Sequence, residues 1–168
     1  RIIIGAGAEY LLSALAVLFS DSYSFICENP CDTHFYRTLA SYHINTDIMP
    51  INLESFDINA LYASNCDILF IDPDARFPRN SPLSEQERKA IIDWANGSDK
   101  RYIIENCCES EIIYESYPSL YSMNSSKVIY LGSFSRSFCP AFKTSYMILP
   151  PELLSMWKRG HAYYYALT

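Results

Sequence analysis

The sequence predicts an α/β three-layer sandwich built on a seven-stranded, mostly parallel sheet whose last strand runs antiparallel. Three observations carry that expectation. Short apolar, β-branched runs recur along the 168 residues, helical patterns alternate with most of them, and the connection before the last run is too short to hold a helix.

The first strand is Arg1-Ile2-Ile3-Ile4, continuously apolar as a strand covered on both faces must be, and it enters the turn Gly5-Ala6-Gly7. A helix over 8–19 follows. Apolar residues occupy nearly every face of it, which predicts burial, and its first-turn N–H groups open towards any anion beside the glycines. Residues 23–27 read as strand two; a loop through Asn29-Pro30 then leads to a helix over 33–42 and to strand three over 48–53. Asp57 is placed to cap a short helix through Ala63. The run 67–72 is strand four and ends in the proline-punctuated loop 73–82. Ser84 and Glu87 form a capping box for an amphipathic helix that Asn96-Gly97 terminates. Residues 102–104 are strand five, followed by the turn 105–109 and an irregular tyrosine-rich passage. Strand six is 128–131 and strand seven 145–149, after which Pro150-Pro151 stop the sheet ahead of a helix over 152–159.

Composition narrows the function classes. A chain of this length, 49% hydrophobic and 15% aromatic, suits one domain with a sizeable core. Its net charge of −6 and pI near 5.0 disfavour nonspecific binding to nucleic acid or to an anionic membrane. The longest apolar run, 10–19, is too short to cross a bilayer and lacks the flanks of a signal peptide. Six scattered cysteines without a C-x-x-C fit free, buried thiols in a reducing, cytoplasmic setting. The chain opens at Arg1 without methionine and stops in an aromatic tail, so it reads as a piece of a longer protein.

In such a sheet, ligands sit beyond the carboxyl ends of the strands, where the loops 5–9, 72–80, 106–109 and 133–143 meet. The last of these carries two hydroxyls, Ser133 and Ser135, and two cations, Arg136 and Lys143, which is the chemistry of an anion grip. Bland readings stand beside it. Arg136 can instead pair with Glu105 or Glu109, Lys143 can be structural, and Asn106 is a common turn residue. The vicinal Cys107-Cys108 reads as a packed thiol pair, since no histidine lies at ligand spacing. Asp72 and Asp74 alone are weak evidence for a metal, and His34, His43 and His161 have no Ser/Asp constellation that would make them catalytic. Tyr114, Tyr117 and Tyr121 read as packing or interface groups.

Several of these pieces together resemble the large domain of fold-type I pyridoxal-phosphate aminotransferases (class I/II), most closely the aminotransferase-like domain of MocR-type regulators of the GntR family. They are Gly5-Ala6-Gly7-Ala8-Glu9-Tyr10-Leu11-Leu12, Phe77-Pro78, Ile104-Glu105 with Ser110-Glu111, and Tyr130-Leu131-Gly132-Ser133-Phe134-Ser135 followed by Pro140. The resemblance covers almost the whole chain. It implies homodimerisation with the site near the dimer interface, a further small domain, and, in the regulators, a DNA-binding winged helix-turn-helix outside these residues.

The resemblance also assigns roles. The Schiff-base lysine falls at Arg136, whose protonated, delocalised guanidinium is a poor nucleophile. The aspartate expected at the pyridinium nitrogen falls at Asn106, the tyrosine near the phenolic oxygen at Cys108, and the stacking ring at Asp32. Asp74-Ala75-Arg76 and Asn80 replace other ring-holding positions. The phosphate cup fares better: the backbone of Gly7, Ala8 and Glu9, the hydroxyls of Ser133 and Ser135, and Lys143 in place of arginine remain, and Arg136 adds a cation. The expectation is an aminotransferase-like domain without transaminase activity that binds a phosphate-bearing ligand, pyridoxal phosphate being possible and then noncovalent, or that mediates dimerisation. An active transferase taking its amine from Lys143, and a scaffold that only dimerises, are the alternatives.

Overall fold

The structure, a computed structural model, describes residues 2–19, 22–31, 33–52, 54–74, 76, 81–108, 117–135, 137–139 and 141–160. Its strands are β1 (Ile2–Gly5), β2 (Phe25–Asn29), β3 (Thr46–Pro50), β4 (Ile68–Ile71), β5 (Tyr102–Asn106), β6 (Val128–Ser133) and β7 (Ser145–Ile148). Its helices are α1 (Ala8–Phe19), α2 (Thr33–Ser41), α3 (Ile58–Ala63), α4 (Glu85–Asn96), α5 (Leu120–Met123) and α6 (Pro151–Gly160). The strands form one seven-stranded sheet in the order β1-β7-β6-β5-β4-β2-β3. All pairings are parallel except those of β7, which runs antiparallel to both β1 and β6. The predicted reversal at the last strand is therefore present, and β7 closes a gap between the first strand and the sixth.

Alternation along the strands sorts the core into two layers. Ile3, Cys27, Phe70, Ile104, Leu131 and Met147 face α1, α2 and α6, while Ile26, Leu69, Ile71, Ile103 and Val128 face α3, α4 and α5. Helix α1 buries Leu11, Leu12, Leu15, Ala16 and Phe19, but Tyr10 and Val17 lie exposed, so it is amphipathic and not buried all round as its composition suggests. Local chemistry sets the helix starts where it is legible: Asp57 accepts from Ala60 N at 2.9 Å, and Ser84 with Glu87 forms the reciprocal capping box.

Strands five and six run two residues further than the sequence reading, to Asn106 and Ser133, and two others are displaced. Strand two is shifted to Phe25–Asn29, because Ser24 is held by Asp67 Oδ2, through its N–H at 3.1 Å and its hydroxyl at 3.3 Å, ahead of the ladder. Strand three ends at Pro50 instead of extending to 53; its pairing partner β2 stops at Asn29 opposite it. Helix α5 arises inside the passage that reads as irregular, started by Ser119, which accepts from Ser122 N at 3.0 Å. The aromatic tail and Tyr114 lie outside the described residues.

Two buried polar side chains organise the loops at the carboxyl ends of the strands. Arg88, on α4 and 1% exposed, donates to the carbonyls of Leu83 (3.1 Å), Pro118 (3.2 Å) and Pro73 (3.2 Å) and to Asp74 Oδ1 (2.6 Å), and lies over the Tyr117 ring. One guanidinium thereby ties the loop after β4 to the approach to α5. Glu105, on β5 and 0% exposed, accepts from Leu120 N at 2.7 Å and Tyr121 N at 2.9 Å, so it holds the start of α5. Two backbone N–H groups thus engage its carboxyl; the pairing with Arg136 that the sequence offers lies outside the described residues.

Replacing Arg88 by methionine keeps the bulk but strands Asp74 and the Leu83 and Pro118 carbonyls, while Pro73 O keeps the Leu83 N–H, and is expected to cost about 3 kcal/mol. The thermal midpoint should fall by roughly 10 °C in a calorimetric scan. Burial, opposed by the two N–H bonds and the Arg88 charge, pushes the Glu105 carboxyl up to about 7 from its ordinary value of 4.5. The folded protein then binds this proton more tightly than the unfolded chain. Its contribution to stability is complete below the unfolded value and is lost as pH rises through the folded one, on the order of 3 kcal/mol in all. Urea melts across that window should show the loss in the native protein, and Glu105→Gln should flatten it.

Candidate functional site

The antiparallel strand β7 assembles the site. Ser145, its first residue, pairs with Gly5 on one side and Ser133 on the other, so the turn after β1 and the turn after β6 lie in one row. Strand alternation points Gly5, Ser133 and Ser145 to the face that α1 covers, together with Asn106 at the end of β5. Gly5 is required there: a Cβ would stand 2.7 Å from Leu11 Cδ2 and 2.8 Å from Tyr10 Cδ1. Gly7, with φ +102°, supplies the left-handed step that turns the chain into the helix.

At the head of that row three serine hydroxyls form a relay. Ser145 donates to Ser133 Oγ at 2.9 Å, Ser133 donates to Ser135 Oγ at 3.2 Å, and Ser135 N also reaches Ser133 Oγ at 3.3 Å. The last donor, the Ser135 hydroxyl, meets among the described residues the Phe142 carbonyl alone, at a long 3.4 Å. Ser145 and Ser133 are buried, whereas Ser135 is half-buried at the open end. Against this relay stands the start of α1. Asp57, Ser84 and Ser119 cap α3, α4 and α5 with their own oxygens, but Gly7 at the start of α1 has no side chain. Among the described residues no side chain accepts from the first-turn N–H groups of Ala8, Glu9 and Tyr10. A helix start with no side-chain cap among the described residues and a hydroxyl held only by a long bond are both donors for an anion.

The remaining predicted residues divide. Glu9 contributes its backbone, while its carboxylate turns aside to His34 Nδ1 at 3.6 Å, both side chains being well exposed. Asn106 is half-buried at the end of β5, and Cys108, also half-buried, packs against the core beneath α1 and α2. Cys107 is buried. Lys143 is exposed and engages no acceptor among the described residues. Arg136, Asp32, Glu109 and Asn80 lie outside the described residues, so the roles assigned to them stay with the sequence. Asp74 is taken by Arg88, and no group of three metal-ligating side chains occurs among the described residues.

Some participants carry little signal in the sequence. Ser145 reads there only as the start of a strand; its place in the relay follows once strand seven is set between strands one and six. Arg76, noted only as a changed ring-holding position, is 2% exposed, makes a paired hydrogen bond with Glu28 of β2 (Nε to Oε2 2.9 Å) and lies over the Phe56 ring. Behind the relay, Tyr146 lies across Gly132, whose Cβ would fall 2.6 Å from Tyr146 Oη, and Tyr130 and Phe134 are the neighbours of its ring.

The donor set fits a phosphate group. At the ring positions the resemblance assigns, Asn106 offers no negative charge for a pyridinium and Cys108 no phenol.

No protein-family model matches the chain. It is 31% identical over 160 residues to the uncharacterized HTH-type transcriptional regulator YhdI of Bacillus subtilis (strain 168), covering 92% of this chain and 33% of that protein. To YdeL of the same bacterium, an uncharacterized regulator of the same type, it is 29% identical over 164 residues, covering 96% and 35%. To the probable rhizopine catabolism regulatory protein MocR of Rhizobium meliloti it is 21% identical, covering 95% and 33%. The chain thus spans about a third of the length of these relatives. Among solved structures, the PLP-bound C-S lyase of Staphylococcus hominis superposes with a TM-score of 0.83 at 19% identity, over 95% of this chain and 45% of that one. LysN, the alpha-aminoadipate aminotransferase of Thermus thermophilus, gives 0.82 at 21%, over 94% and 43%. At such identities the likeness is one of fold. The homologues of this chain are therefore MocR-type transcriptional regulators of the GntR family, and its own fold is that of the pyridoxal-phosphate-dependent aminotransferases.

Proposed function

We propose that this chain is the sheet-bearing large domain of an aminotransferase-like effector region, and that it holds a phosphate-bearing ligand without transaminase chemistry. The observation that carries the reading is the start of α1, without a side-chain cap among the described residues, set on the same face as the Ser145–Ser133–Ser135 relay, whose terminal hydroxyl makes only a long bond to Phe142 O among those residues. Pyridoxal phosphate is the ligand that the fold family offers. Arg136 at the lysine position, Asn106 and Cys108 argue for a noncovalent complex read out by conformation. In a full regulator, DNA binding belongs to another part of the polypeptide; this chain is acidic and supplies the sensing part.

Dimerisation belongs to the same reading. The loop between β6 and β7 exposes Phe138 by 79% and Phe142 by 52%, their rings in edge contact beside the relay, which suits a face covered by a second copy. Among the described residues no helix is long and apolar enough to cross a membrane.

Titration with pyridoxal phosphate, followed by borohydride reduction and mass spectrometry, tests the ligand. Saturable binding without a covalent adduct is expected. Ser135→Ala should weaken it about tenfold, the cost of one hydrogen bond to a charged group. A reduced adduct on Lys143 would establish the active-transferase alternative, and absence of binding would leave only the scaffold. Sedimentation should show a dimer that Phe138→Glu shifts towards monomer.

A further inference from the structure

Cys27 and Cys31 lie four residues apart on either side of the end of β2, and their sulfurs face one another. Cys27 is 1% exposed in the core layer beneath α1 and α2, and Cys31 packs against the same layer from the turn that leads into α2. The Cys27 thiol donates to Cys31 Sγ at 3.6 Å. A disulfide bond measures about 2.05 Å, so closure asks for an approach of roughly 1.5 Å, within reach of a side-chain rotation at Cys31 in its turn. The two sulfurs differ in access. Its bond to the Cys31 sulfur, and then burial, push the Cys27 thiol far above its ordinary value, so it is a poor starting nucleophile. Cys31 is half-buried, closer to the surface than the buried Cys27.

We propose that Cys27 and Cys31 form a thiol–disulfide pair that low-molecular-weight disulfides oxidise. Cys31 attacks one sulfur of the reagent, whose S–S bond breaks, and the first thiolate leaves with the Cys31 proton. Cys27 then attacks the Cys31 sulfur, the mixed S–S bond breaks, and the second thiolate leaves with the Cys27 proton. The two cysteines lose two electrons, and the reagent is reduced to two thiols. The new bond would close the segment that contains Glu28, the partner of Arg76, and fix the entry to α2. This inference does not depend on the phosphate reading.

The test uses the native chain and glutathione disulfide at mildly alkaline pH, followed by acid quench, alkylation under denaturing conditions and trypsin. The fragment 2–37 carries Cys27 and Cys31 and no other cysteine, whereas 102–127 carries Cys107 and Cys108. The expected product is fragment 2–37 lighter by two hydrogens, free of alkyl groups and restored by dithiothreitol, formed about tenfold faster than any change in 102–127. Cys27→Ser should stop at a glutathione adduct on Cys31, and Cys31→Ser should leave Cys27 unmodified in the folded protein. Recovery of wild-type fragment 2–37 with both cysteines alkylated, a lasting glutathione adduct on Cys31, or a cross-link from Cys31 to Cys108 would each overturn the proposal.

Discussion

The architecture rests on the antiparallel seating of β7 between β1 and β6. Parallel strands each need a long crossover, but β7 returns from β6 through one loop and so delivers its first residue, Ser145, to the end of the sheet where the other strands finish. Had it run parallel, Ile148 would occupy that place, and the serine relay would lose its first donor beside Gly5. A single reversal of strand direction therefore decides that small polar residues meet the start of α1.

A second layer of organisation is polar and buried. Arg88 gathers carbonyls from three loop positions with one carboxylate, and Glu105 gathers two N–H groups at the start of α5. These two side chains do for the irregular segments what hydrogen-bonded ladders do for the strands: they satisfy backbone groups that burial would otherwise leave unpaired. Arg76 with Glu28 ties the loop after β4 to the end of β2 by a buried side-chain pair instead.

What is legible in the residues is what is local. The capping box of Ser84 and Glu87, the Asp57 cap and the bounds of α1 depend on neighbours within a turn, and the structure places them as expected. The strand ends move where partners distant in sequence intervene: Asp67 holds Ser24 out of β2, and Arg76 lets the charged Glu28 remain inside it. Helix α5 is invisible because four residues leave no periodicity to detect. Within the site, Gly7, Ser133 and Ser135 stand out by composition, whereas Ser145 is recognisable only through a register that joins opposite ends of the chain.

The bare start of α1 carries a further implication for how the molecule breathes. A helix whose first N–H groups lack a side-chain acceptor among the described residues is open to fraying from that end, and its amides there should exchange with solvent sooner than those of its capped neighbours. An anion seated there would act as the missing cap. Occupancy and the order of the first turn would then rise together, so that hydrogen-exchange rates at Ala8, Glu9 and Tyr10 report ligand concentration as directly as any change in the ligand itself.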